Sequence, residues 1–216
     1  MFEDIDQAYR NINLAKENHI GVASLYQYGE FYFYEAIIAY RYYKTSGQVD
    51  QDAIIKLLDK AIVYYSILAQ TAALNNEHKR KILTALLLNV QEDPSAWKYF
   101  KMASDGAKAG GFIHIEAIIY QLAFYYWDEE GMGDFAQSYL LKSYEAYQSW
   151  GALAVAKELK TRYALVVNSP ANENAVLDFD TFDLKSVLKA STILSQELSS
   201  TELLKKMIKI ILENSA

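Results

Sequence analysis

The sequence predicts an all-α protein: a stack of antiparallel helical hairpins followed by a linker and two C-terminal helices. Three observations predict it. Apolar residues recur at three- and four-residue spacing along nearly the whole chain, which is the period of an amphipathic helix. Punctuating residues are scarce, with two prolines and nine glycines in 216 residues, too few for the many turns of an all-β protein. A pattern of small and aromatic residues also returns at intervals of 35 and 40 residues, as it does in chains built from repeated helix pairs.

Taken in order, the spacing predicts helices over 4–18, 21–45, 51–72, 76–90, 94–109, 113–129, 133–149 and 151–166. Asp93 before Pro94 fits an N-cap followed by proline at the first helical position, where its missing N–H costs nothing. Gly110 and Gly111 stop the helix that precedes them. "EEGMGD" reads as a turn; its glycine pair follows no strand, so it is not a phosphate loop. The stretch 168–181, "NSPANENAVLDFDT", is rich in Asn, Asp and Ser and lacks helical periodicity, so it reads as a linker. The chain therefore divides into a helical-repeat domain at 1–167, the linker at 168–181 and a connector at 182–216. Within the connector, Ser199 and Glu202 have capping-box spacing and open a last helix.

The repeat is explicit. "AWKYFKMASDGAKAGG" from Ala96 aligns without gaps on "AQSYLLKSYEAYQSWG" from Ala136. Small residues match at Ala103 and Ser143, and glycines match at Gly111 and Gly151. "AIVYYSILAQ" repeats the opening at Ala61 and Tyr64. The pattern resembles degenerate tetratricopeptide repeats, in which small residues let paired helices approach and aromatics fill the gaps. That resemblance implies a tetratricopeptide-like solenoid. Ala96 and Ala136 are then expected at helix–helix contacts, and Trp150 is expected to be buried at the Trp-Gly-Ala junction.

"YQYGEFYFYEAIIAYRYY", from Tyr26 to Tyr43, holds nine aromatic residues in eighteen positions. On a helical wheel, apolar side chains fall nearly all round. Only Gln27, Glu30 and Arg41, with Tyr34 among them, make a narrow polar stripe. A helix apolar on most sides is buried between neighbours, so most of these rings are core, each tyrosine keeping a polar tip for a hydrogen bond. The stripe leaves one candidate site, a partner groove lined by Tyr26, Tyr34 and Arg41.

Composition limits the function classes. Net charge is −6 and the pI is near 5.2, so there is no basic field to attract nucleic acid. Cysteine is absent, which removes disulfides and thiolate zinc sites. The acidic start "MFEDIDQAYR" has no apolar targeting core, and no apolar stretch approaches a membrane span. The expectation is a cytoplasmic protein without membrane insertion. The three histidines, His19, His78 and His114, form no short metal motif. His114 and Glu116 make an isolated His-x-Glu, read as a helix-start or surface histidine. Asp128, Glu129 and Glu130 read as a solvated turn. No phosphate loop, kinase element or Gly-x-Ser-x-Gly is present. Catalytic residues, cofactors and metals are therefore expected to be absent, and the chain is expected not to be an enzyme.

From Gly111 onward the sequence resembles the helical-repeat region of very large multidomain signalling kinases. The resemblance is carried by Gly111-Phe112, Glu116-Ala117, Ala136, Tyr139, Ala146-Tyr147 and Trp150-Gly151-Ala152, then Lys157, Leu159 and Tyr163. It continues through Lys189-Ala190-Ser191 in the connector. In such proteins a serine/threonine-kinase-like domain and a signalling ATPase precede the helical region, and a GAF domain, often with a histidine kinase, follows. The resemblance implies a non-catalytic scaffold and transmission module that contacts a regulatory protein or a neighbouring domain. It also implies that the chain is a fragment or remnant of that architecture. Two other roles are consistent with the residues: a free-standing peptide-binding adaptor, and a small-molecule sensor with an aromatic pocket. The last helix places Leu203, Leu204, Met207, Ile208 and Ile211 on about four turns. Exposing that set to water is costly, so it is the expected homodimer contact.

Overall fold

The computed structural model describes residues 4–18 and 26–163, with the side chains of residues 17, 18, 26 and 27 excepted. The described residues belong to one compact unit, Met1–Val167. They form eight helices: α1 (Ile5–Asn18), α2 (Tyr26–Ser46), α3 (Gln51–Thr71), α4 (Ala73–Val90), α5 (Ala96–Ala109), α6 (Ile113–Glu129), α7 (Gly133–Trp150) and α8 (Leu153–Arg162). No strand occurs among the described residues. The predicted linker and connector, and with them Leu203, Leu204, Met207, Ile208 and Ile211, lie outside the described residues.

Local chemistry sets the helix ends. Asp4 Oδ1 accepts from Gln7 N at 2.8 Å and caps α1. Asp50 caps α3 by accepting from Ala53 N at 3.2 Å. At the C-termini of α4 to α7 one device is used four times. The residue after the cap takes a left-handed conformation, at Glu92 (φ 57°), Gly111 (72°), Gly131 (70°) and Gly151 (88°). The next N–H then reaches back to the carbonyl five residues earlier, as in Asp93 to Leu88, Phe112 to Ala107, Met132 to Trp127 and Ala152 to Tyr147, each at 2.9 Å. These are Schellman closures, which satisfy carbonyls the helix leaves bare.

The last described helix, α8, runs from Leu153 to Arg162 rather than over 151–166, and two other boundaries differ from the sequence expectation for local reasons. The helix α4 begins at Ala73, three residues early, because Ala72 alone makes the bend after α3. The helix α5 begins at Ala96 rather than Pro94. Asp93 Oδ1 accepts from Ser95 N at 2.8 Å, so the Asp-Pro pair forms a separate turn after the Glu92 reversal and does not cap the helix itself.

Helices consecutive in the chain pack against one another, and α2 also packs on α4. Lys79 of α4 meets Glu30 of α2, and Tyr40 Oη of α2 donates to Asn89 Oδ1 of α4 at 2.6 Å. Both partners advance together along the chain, so α2 and α4 run parallel. The same reasoning aligns α6 with α2, because Arg41 lies over Tyr125 and Lys44 pairs with Glu129. The odd-numbered helices return antiparallel. Tyr65 Oη of α3 donates to Gly29 O of α2 at 2.8 Å, and Ser143 Oγ of α7 donates to Ala117 O of α6 at 3.0 Å. The repeat's small residues Ala61, Ala96, Ala103, Ala136 and Ser143 are all buried. The helix α6 is enclosed most completely, with every residue from Gln121 to Trp127 buried, as expected of a helix apolar on all sides.

Burial of Trp150 is corrected: its side chain is 48% exposed. Antiparallel pairing sets the last residue of α7 opposite the first turn of α6. There His114 of α6 lies 5.8 Å from the indole and Tyr147, one turn back on α7, lies 6.2 Å from it. The helix α8 starts with an exposed Leu153 and provides no cover.

Candidate functional site

The aromatic stretch resolves into core and face. Tyr32, Phe33 and Tyr40 are buried. The rings of Tyr32 and Phe33 meet Tyr64 and Tyr65 of α3, with Phe33 edge-on to Tyr65 at 6.0 Å and Tyr32 at 5.3 Å from Tyr64. Burial raises the Tyr40 hydroxyl's pKa far above its usual range, with the Glu129 carboxylate adding to the effect. It therefore stays a neutral donor to Asn89.

The polar stripe of α2 faces the parallel row. Glu30 is held by Lys79, whose ammonium is buried and lies 5.4 Å from the Phe33 ring centre and 5.7 Å from that of Tyr65. Arg41 lies flat against α6, its guanidinium carbon 3.5 Å from the centre of the Tyr125 ring. Tyr125 Oη in turn accepts from Gln121 Nε2 at 3.0 Å, and Tyr147 Oη donates to Gln121 Oε1 at 2.7 Å. One turn beyond Arg41, Lys44 pairs with Glu129 at 2.7 Å. Most charges on this face are thus spoken for by the fold itself.

An open groove of about 470 Å³ runs between α1 and α2. Gln7, Ala8, Asn11 and Ile12 form the α1 wall, Asp4 closes one end, and Tyr34 and Ile38 form the floor. The wall is fixed by Lys16, which pairs at 2.6 Å with the buried Glu35, and by Tyr9 stacked on Tyr42 at 4.1 Å. Of the three residues predicted to line a partner groove, Tyr34 lines this one. Arg41 lies on the same helix face but is drawn to Tyr125. The side chain of Tyr26 lies outside the described residues. Sequence reasoning missed the α1 wall because a short, mostly polar helix carries no sign of which neighbour it covers.

A second polar cluster joins α4 and α6. His78 is buried and stacks on Phe112 at 4.6 Å. Its Nδ1 is 3.2 Å from Leu74 O, while Nε2 has no hydrogen-bond partner. Burial, reinforced by Lys79, lowers its pKa to about 4. His114 is also shifted down, by burial first and Lys79 next. Both rings are therefore neutral at physiological pH. Among the described residues no group of three His, Asp or Glu side chains is placed to hold a metal ion. No described helix is long and apolar enough to cross a membrane. No family model, curated protein or solved structure matches the chain.

Proposed function

We propose that this chain is a tetratricopeptide-like helical-repeat module that binds protein and takes no part in catalysis. In this reading it belongs to the helical region of a large multidomain signalling kinase. It works in the cytoplasm, passing a conformational bias between neighbouring domains, and its C-terminal helices pair two copies. The observation that carries the reading is the parallel row of α2, α4 and α6, with α3, α5 and α7 returning behind it. Such stacking makes every repeat lean on its neighbours and exposes one face formed by equivalent helices. The recurring Schellman closures and the buried small residues support the same repeat. A free-standing peptide-binding adaptor is the second reading, and the groove between α1 and α2 favours it.

The test is purification of the native protein from its own cells. The proposal expects kinase-type and GAF-type segments in the same polypeptide or in a near-stoichiometric complex, and no turnover of nucleotide or phosphopeptide by the 216-residue chain alone. A native protein free of any stoichiometric partner, or turnover abolished by one point mutation in this chain, contradicts it.

A further inference from the structure

The chain has four arginines, Arg10, Arg41, Arg80 and Arg162. Two have anionic partners: Arg80 binds Glu77 at 2.5 Å and Arg162 binds Glu158 at 2.9 Å. Arg10 is exposed, so water serves its N–H groups. Arg41 differs from all three. It is half-buried, its guanidinium carbon lies 3.5 Å from the centre of the Tyr125 ring, and its N–H groups meet no acceptor among the described residues. The neighbouring cations Lys44 and Lys79 are both neutralised, by Glu129 and Glu30. Among the described residues of this face, Arg41 is left as the one cation without an anionic partner.

We propose that Arg41 anchors a polypeptide segment lying in the groove between α1 and α2, and that the group it takes is a carboxylate on that segment. A guanidinium presents paired donors that match the two oxygens of a carboxylate. Stacking on Tyr125 has already ordered the side chain, which lowers the entropic cost of binding. Only one charge is left unpaired here, which suits a monoanion better than a phosphate dianion. A polypeptide is favoured over a free acid by the layout of the face. Tyr34, Ile38 and Arg41 follow at helical spacing, so Arg41 stands on the same face of α2 as the groove floor, one turn beyond its lining. Ala8, Ile12 and Ile38 offer apolar contact along the way. Tyr34, half-buried, has a hydroxyl that makes no hydrogen bond to another described residue, although Glu30 and Tyr147 lie near enough to act on it electrostatically. This inference rests on the protein-binding reading above and specifies the partner's chemistry.

The experiment follows the Nε–Hε resonances of the four arginines by NMR in the full chain. Three probes are titrated: the peptide acetyl-Val-Leu-Asp-Leu-Val-amide, the same peptide with Asn for Asp, and sodium benzoate. The expected result is a saturable shift of Arg41 with the Asp peptide, at a concentration at least about tenfold below that needed with the other two. Arg10 should move only as exposed ion pairing does, without saturation. R41Q should lose the Asp-over-Asn preference, and Tyr125→Leu should weaken it by freeing the guanidinium. An Arg41 resonance that stays still, or that tracks Arg10, overturns the site; that outcome needs no variant to fold. Benzoate binding as tightly as the Asp peptide overturns the polypeptide assignment. Either failure leaves the outcome of the native purification unchanged, so the two claims fail separately.

Discussion

Glu92 holds a backbone conformation that L-residues avoid, with φ at 57°, where Gly111, Gly131 and Gly151 do the same work at the other three closures. A left-handed residue with a Cβ costs roughly 1–2 kcal/mol. Glu92→Gly should therefore stabilise the chain by about 1 kcal/mol after glycine's own entropy cost, and thermal denaturation should show a melting temperature a few degrees higher. The other informative residue is His78. Its folded pKa of about 4 lies below the ordinary 6.5. The unfolded chain accepts a proton that the folded one refuses, so this contribution is complete above pH 6.5. It is lost as pH falls from about 6.5 to about 4, and the loss then levels off. The difference corresponds to about 3 kcal/mol. His78→Phe should flatten that limb of a stability–pH curve; wild type and variant losing equal stability between pH 6.5 and 4 would refute the assignment. Neither residue advertises itself in the sequence. Glu92 looks like any turn glutamate, and the local pattern around His78 is that of a charged, solvated helix start. The ring is enclosed by tertiary packing, with Phe112 stacked on it and Gly106 of α5 close against its Cβ.

At the scale of the helix, apolar periodicity and glycine punctuation placed six of the eight described elements within three residues at each described end; α8 stops at Arg162, four residues before the expected 166. The other exception is the beginning of α2, where 21–25 lie outside the described residues. These signals are local, which is why they could be read. The displaced start of α5 depended on the Glu92 reversal, which no motif announced. The repeat alignment put small residues where helices touch, so Ala136→Leu should overpack the contact with α6 and cost about 1–3 kcal/mol. An unchanged denaturation midpoint would show that α7 can move aside. The same alignment failed at Trp150, because matching positions along a helix does not say whether a neighbour covers its last turn. Trp150→Ala should cost well under the roughly 3–5 kcal/mol of a buried tryptophan. In single-tryptophan proteins, iodide should quench Trp150 readily and leave the buried Trp127 largely protected.

For the described unit as a whole, the informative contacts span the chain. Arg41 and Lys44 reach α6 from α2 across four intervening segments, a pairing that no sequence window contains. The pair Lys44–Glu129 is partly exposed and is worth at most about 1 kcal/mol. Lys44→Glu should destabilise by no more than that, and combining it with Glu129→Lys should restore most of the loss in a double-mutant cycle. Of the candidate groove, the sequence disclosed the polar stripe on α2, because period and charge are written locally. It did not disclose the opposing wall of α1 or the Tyr125 platform, which depend on tertiary approach. The claim that the α1–α2 face binds protein is tested most directly by photocrosslinking in the native cell. A benzoylphenylalanine is placed at Asn11, in the groove wall, or at Lys56, exposed on α3 behind the parallel row. Crosslinks from Asn11 to one discrete protein or neighbouring domain, with none from Lys56, are the predicted result. Crosslinks from Lys56 alone would place the partner on the opposite face and contradict the account.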